Sequence, residues 1–198
     1  MERVFTDHLG DWQRSCYCGE PRADGVGREM TLVGWAQRRR DHGGLIFVDM
    51  RDRSGIMQVV FNPEIDPAAH EKAKQIRSED VLAVRGLLAR RPPETVNPDL
   101  STGAVELSVR EVRLLNASQV PPFLIEDETD ANENTRLKYR YLDLRRPQSL
   151  GHLLLRYRMT KKIRDYLDGQ GFIEVETPVL TKSTPEGARD YLVPSRIY

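Results

Sequence analysis

The sequence has no long hydrophobic run. Nowhere in its 198 residues is there a stretch of about 18 apolar residues, the length a bilayer requires. The N-terminus places Glu2, Arg3, Thr6 and Asp7 close together, so it contains no apolar core of a secretory signal. Cysteine is scarce. Cys16 and Cys18 are the two present. Alternate positions on a strand point to opposite faces, which argues against a bond between them. A zinc site takes four ligands, and His8 does not complete one, so no metal site is expected. Reduced thiols in the cytoplasm are the plain reading. The glycines and prolines show no period, which excludes collagen-like sequence.

Net charge is also lacking: 30 Lys and Arg balance 30 Asp and Glu. That balance leaves a nucleic-acid partner open, because phosphate binding needs local positive charge, not a basic total. Arg38, Arg39 and Arg40 form one cluster, and Arg90–Arg91 and Arg145–Arg146 are two more. Taken singly, each reads as a solvated surface, with phosphate binding as the alternative. With 39% apolar residues, the chain can bury a core in one or two domains.

Residues 1–28 are polar and Gly-rich and read as a leader, with a short helix expected around 18–24. From residue 29 the pattern has period two. Residues 30–40 read as a strand bent at Gly34, and Asp41, His42, Gly43 and Gly44 as a tight turn. Residues 45–51 and 56–61 are the next strands, joined by a turn at 52–55. Pro67 opens a polar helix over 67–77. Residues 81–89 and 105–112 return to strand, separated by a Pro-rich loop over 91–103. Three strands, a helix and two strands are the layout of a five-stranded OB barrel; a generic five-stranded α+β domain is the alternative. The predicted class is mainly β with α.

Residues 117–134 lack a period and read as a hinge. Helices are expected over 135–144 and 151–167. In the second, Leu155, Met159, Ile163 and Tyr166 share a face, and Gly169 and Gly171 end it. Residues 172–180 are strand-like, interrupted by Pro178. The sequence closes on another strand-like segment at 191–193, whose backbone would need neighbours; a continuing chain is therefore expected.

In the second strand Ile46, Val48 and Met50 share one face, leaving Leu45, Phe47, Asp49 and Arg51 on the other. An aromatic on that polar face is a stacking platform for unpaired bases, or else packs beneath a loop. Gln58, on the next strand, has an amide able to read a base edge, and Arg40 stands beside the same face. Glu106 points outward from the fifth strand. A carboxylate there suggests base readout, with a salt-bridged surface group as the alternative.

Residues 38–53, RRRDHGGLIFVDMRDR, with Trp35 before them, resemble the anticodon-binding barrel of bacterial aspartyl-tRNA synthetases. LKYRYLDLRRP at 137–147 resembles the opening of that family's class II catalytic domain. GFIEVETP at 171–178 is similar to motif 1, and TPEGARDYLVPSR at 184–196 to the stretch that follows it. The resemblance divides the chain into a leader (1–28), an OB-fold anticodon-binding domain (29–117), a hinge (118–135) and the start of an α/β catalytic domain (136–198).

It also implies roles. Phe47 would stack on an anticodon base, Arg40 and Gln58 contact the middle base, Arg91 and Asn97 read the third, and Glu106 the first. Glu186 would lie in the loop that closes over aspartate, and Pro178 with the 151–167 helix in a homodimer interface. ATP and Mg2+ serve the complete enzyme. The arginines that hold ATP in motifs 2 and 3 are absent here, so the 198 residues are not expected to activate aspartate by themselves. tRNA(Asp) is the implied partner. His42, where relatives of strict specificity tend to carry leucine, points to tRNA(Asn) as a second. An exposed turn histidine is the alternative, as a stand-alone single-strand-binding module or a subunit-interaction fragment is for the whole chain.

Overall fold

The computed structural model describes residues 7–180, 182, 191 and 193–196. It divides into two compact units, Met1–Leu124 and Ile125–Tyr198.

The first unit is built on five strands, β1 (Glu29–His42), β2 (Leu45–Asp52), β3 (Gly55–Phe61), β4 (Val81–Arg90) and β5 (Val105–Asn116), with helix α1 (Pro67–Ala73) between β3 and β4. They close into a barrel in the order β1-β2-β3-β5-β4. Neighbours are antiparallel except β3 and β5, which run parallel. This is the expected OB barrel. Its interior follows the period-two pattern: Ile46, Val48 and Met50 of β2, Met57, Val59 and Phe61 of β3, and Val105, Leu107 and Val109 of β5 are all buried.

β1 is long because it serves two neighbours, pairing with β4 from Glu29 to Trp35 and with β2 from Trp35 to His42. The sequence predicts a bend at Gly34; the register of β1 against β2 shifts between Ala36 and Arg38. Gly34 serves close approach instead: a Cβ there would stand 2.6 Å from the Arg51 carbonyl oxygen. The β1–β2 turn is narrower than expected. Gly43 and Gly44 both take positive φ, 59° and 79°, which makes a two-residue primed turn. Asp41 and His42 therefore belong to the strand.

Asp66 caps α1 by accepting from the Ala69 N–H at 2.7 Å, and Pro67 occupies the first turn. The helix stops at Ala73 rather than 77. Its end tightens into bonds from Lys74 to Glu71 and from Gln75 to Lys72, and Asp80 draws off the Arg77 N–H at 2.8 Å. The expected leader helix is a single 3-10 turn at Ala23–Gly25. The segment before β1 packs on the barrel: Ser15 and Thr31 exchange bonds, and Trp12 is buried between the Arg85 and Arg113 guanidiniums, 4.4 and 4.0 Å from its ring centroid.

The second unit contains α2 (Glu133–Lys138), α3 (Arg140–Asp143) and α4 (Pro147–Gly169). The single helix expected over 135–144 breaks at Tyr139, whose φ of -107° and ψ of 45° leave the helical region. Asp143 is buried and accepts from Arg146 at 2.8 Å and Arg140 at 2.5 Å. Burial alone would raise its pKa, but the Arg146 bond and the charges of Arg146, Arg140 and Arg136 hold it below the usual value. Arg146, half of a basic pair that read as surface, is itself buried. α4 begins four residues before the expected 151, because Pro147 suits the first turn. Leu155, Met159, Ile163 and Tyr166 are all exposed. Residues 172–180 form no strand: the Phe172 N–H bonds back to the Leu167 carbonyl at the end of α4 at 3.0 Å, and Pro178 is exposed. Glu186 and its neighbours at 184–190 lie outside the described residues, as does Leu192 of the strand-like 191–193 segment. Among the described residues, no helix is long and apolar enough to cross a membrane.

Candidate nucleic-acid interface

On the outer face of the barrel a cleft of about 570 Å³ lies between the β1–β2 hairpin, β3, β5 and the loop after β4. Arg40, His42, Phe47, Gln58, Arg91, Asn97 and Glu106 all line it. The register explains the convergence. Arg40 pairs with Phe47, and Phe47 with Val60; two residues along, Asp49 pairs with Gln58. The parallel pairing of Val59 with Leu107 sets Gln58 beside Glu106.

A hydrogen-bonded chain crosses the floor. Arg40 Nη2 donates to Asp49 Oδ1 at 2.7 Å and to Gln58 Oε1 at 3.2 Å. Gln58 Nε2 donates to Glu106 Oε2 at 2.8 Å. Gln58 is 8% exposed; each end of its amide holds one of these partners and keeps a second hydrogen or lone pair. Asp49 stands at the head of the chain. Burial raises its pKa, opposed by the charges of Arg40, Arg91 and Arg38.

Arg91 is 7% exposed and donates from Nε to the Val105 carbonyl at 3.0 Å. Its Nη2 has no hydrogen-bond partner among the described residues. Burial depresses its pKa, while Glu106 and Asp49 act to keep it charged. A buried donor without a partner is costly unless a ligand meets it. Asn97 is held by its N–H donating to the Gly103 carbonyl at 3.1 Å, and its Oδ1 accepts from the Asp99 N–H at 3.0 Å. His42 is exposed at the hairpin end, and Phe47 is half-buried in the cleft wall.

Two contributors were missed by sequence reasoning. Asp49 shares the Phe47 face by simple alternation and could have been found that way. Gly103 carries no side chain and gave no signal, yet a Cβ there would lie 1.7 Å from the Asn97 carbonyl oxygen. The thiols offer no nucleophile: burial pushes both Cys16 and Cys18 up. Among the described residues, no group of three or more His, Cys, Asp or Glu side chains is placed to hold a metal ion.

Such a cleft, with an aromatic wall and a polar floor, suits unpaired bases. Residues 30–115 match the OB-fold nucleic acid binding domain family, and residues 132–198 match the class II tRNA synthetases of the D, K and N type. The chain is similar to the class II tRNA synthetases. It is 60% identical over 191 residues to the aspartate–tRNA(Asp/Asn) ligase of Syntrophotalea carbinolica, covering 96% of this chain and 32% of that protein. It is 62% identical over 173 residues to the ligase of the same name from Syntrophomonas wolfei, covering 87% of this chain and 30% of that protein. The chain thus spans about a third of the length of the curated relatives it matches. Among solved structures, the asparaginyl-tRNA synthetase of Pyrococcus horikoshii complexed with asparaginyl-adenylate superposes with a TM-score of 0.75 at 25% identity, over 88% of this chain and 38% of that one.

Proposed function

We propose that this chain is the anticodon-reading part of an aspartate–tRNA ligase, which activates aspartate with ATP and transfers it to tRNA(Asp) and also to tRNA(Asn). The observation that carries this reading is the convergence of the seven residues in one cleft. Phe47 stacks on a base, and Arg40 and Gln58 contact the middle base. Arg91 and Asn97 meet the third, and Glu106 accepts from the first. His42, at the open end, has a ring nitrogen to offer the third base of either tRNA. The names of the relatives, which include Asp and Asn, support the dual range.

Residues 118–135 act as the hinge between the barrel domain (29–117) and the start of the catalytic domain (136–198). α4 and the segment around Pro178 supply a homodimer interface, and the loop around Glu186 closes over aspartate. The enzyme works in the cytoplasm. ATP and Mg2+ belong to the whole enzyme, but the described residues do not fit them: they contain neither a metal-holding cluster nor a Gly-rich phosphate loop. No activation step is assigned to this chain.

Titration with anticodon stem-loops at fixed salt tests the reading. A GUC loop should bind well above a scrambled loop, with GUU close behind. Equal binding by all three would make the chain a general single-strand binder and overturn the proposal. A large gap between GUC and GUU would remove tRNA(Asn) alone.

A further inference from the structure

We infer that Asp49 is a positioning and specificity residue of the cleft: it holds Arg40 toward a base edge and keeps the basic floor from binding phosphate without regard to sequence. The inference rests on the anticodon reading above and adds a residue to it.

Asp49 lies two residues from Phe47 on β2 and is paired with Gln58 on β3. Its side chain is 19% exposed, whereas that of Arg40 is 43% exposed. The carboxylate therefore sits beneath the guanidinium and does not itself present a broad surface to RNA. Asp49 and Gln58 both accept from the same nitrogen, Arg40 Nη2. A guanidinium has five donors in a fixed plane, and two acceptors on one nitrogen restrain that plane. A free arginine of this kind would follow the nearest phosphate; a restrained one favours a base edge.

Charge acts in the same direction. Arg40, Arg91 and Arg38 all act on Asp49, and the carboxylates that line the cleft itself are Glu106 and Asp41, the latter paired with Arg39. Neutralising Asp49 removes the carboxylate that Arg40 holds at 2.7 Å and leaves the local balance more positive by one charge. Phosphate attraction is independent of sequence and grows with local positive charge. Loss of the Asp49 charge should thus strengthen binding of the wrong loop while weakening the restraint that selects the right one. A residue needed only for folding would weaken both together.

The test uses the wild-type chain, Asp49→Asn and Asp49→Glu, titrated with GUC and scrambled stem-loops at several salt concentrations. Asp49→Asn should lower the GUC-to-scrambled affinity ratio about tenfold. The scrambled loop should bind more tightly, with its salt dependence steeper by about one phosphate contact. Asp49→Glu keeps the charge but displaces the oxygens, so scrambled binding should stay weak while GUC binding falls. An unchanged ratio and salt slope in Asp49→Asn, beside a discriminating wild type, overturns this inference and leaves the anticodon reading intact. A wild type that does not discriminate overturns both.

Discussion

The Gln58 amide donates to Glu106 at 2.8 Å across the parallel pairing of β3 with β5. Its oxygen accepts from Arg40 at 3.2 Å. One neutral side chain therefore bridges a cation and a carboxylate that stand on strands distant in sequence. Gln58→Ala removes both bonds at a site that is 8% exposed. It should cost about 1–3 kcal/mol of stability and weaken GUC binding as well. Urea unfolding and stem-loop titration on the same variant measure the two losses. Unaltered binding would place Gln58 outside the readout.

Phe47→Ala separates stacking from packing. The ring is half-buried in the cleft wall, while Ile46 and Val48 on either side supply the core. Stem-loop binding should weaken by about 1–3 kcal/mol, with a smaller change in unfolding free energy. An unfolding shift as large as the binding loss would identify Phe47 as a core residue.

Gly103 controls the loop that carries Asn97. A methyl group there would meet the Asn97 carbonyl oxygen at 1.7 Å, and backbone must move to relieve it. Gly103→Ala should cost about 1–3 kcal/mol of stability. It should also erode preference at the third anticodon base more than at the middle one, which loops GUA and GAC compare against GUC. Equal erosion at both positions would separate the loop from third-base reading.

Asp52 ties the leader to the barrel by accepting from the Cys18 N–H at 2.7 Å and from the Ser54 N–H and hydroxyl at 2.8 and 2.6 Å. Burial acts to raise its pKa, but these bonds prevail and hold it below the ordinary 3.8. A carboxylate whose folded pKa is depressed stabilises fully above its unfolded value. That stabilisation is lost as the pH falls through the folded value. Asp52→Ala should therefore lower the urea midpoint at neutral pH, with a gap to wild type that narrows below about pH 3.8. A gap of constant size down to acid would mean that the carboxylate charge contributes nothing.

Much of the barrel was legible because it is written in local patterns. The alternation in β2 separated Ile46, Val48 and Met50 from Phe47 and Asp49, and the structure keeps that division. Gly43 and Gly44 marked the hairpin because few other residues accept two consecutive positive φ values. Pro67 marked the start of α1. Ends of elements were less legible. The early stop of α1 depends on Asp80 reaching the Arg77 N–H, and the break at Tyr139 separates α2 from the turn whose Asp143 meets Arg140 and Arg146.

By itself, the sequence determined the order of the barrel's strands and turns, which face of β2 enters the core, and which side chains carry chemistry suited to bases. These properties depend on neighbours within a few residues. Tertiary structure decided the rest. Barrel closure set Gln58 beside Glu106, brought Asn97 into the lining of the cleft, and buried Arg91. In the second unit Arg146, from a basic pair that looks alike in the chain, is buried against Asp143 and Asp127. Whether Arg91 is solvated or buried depends on β5, whose Val105 carbonyl it meets from 14 residues away, and local sequence carries no record of that packing.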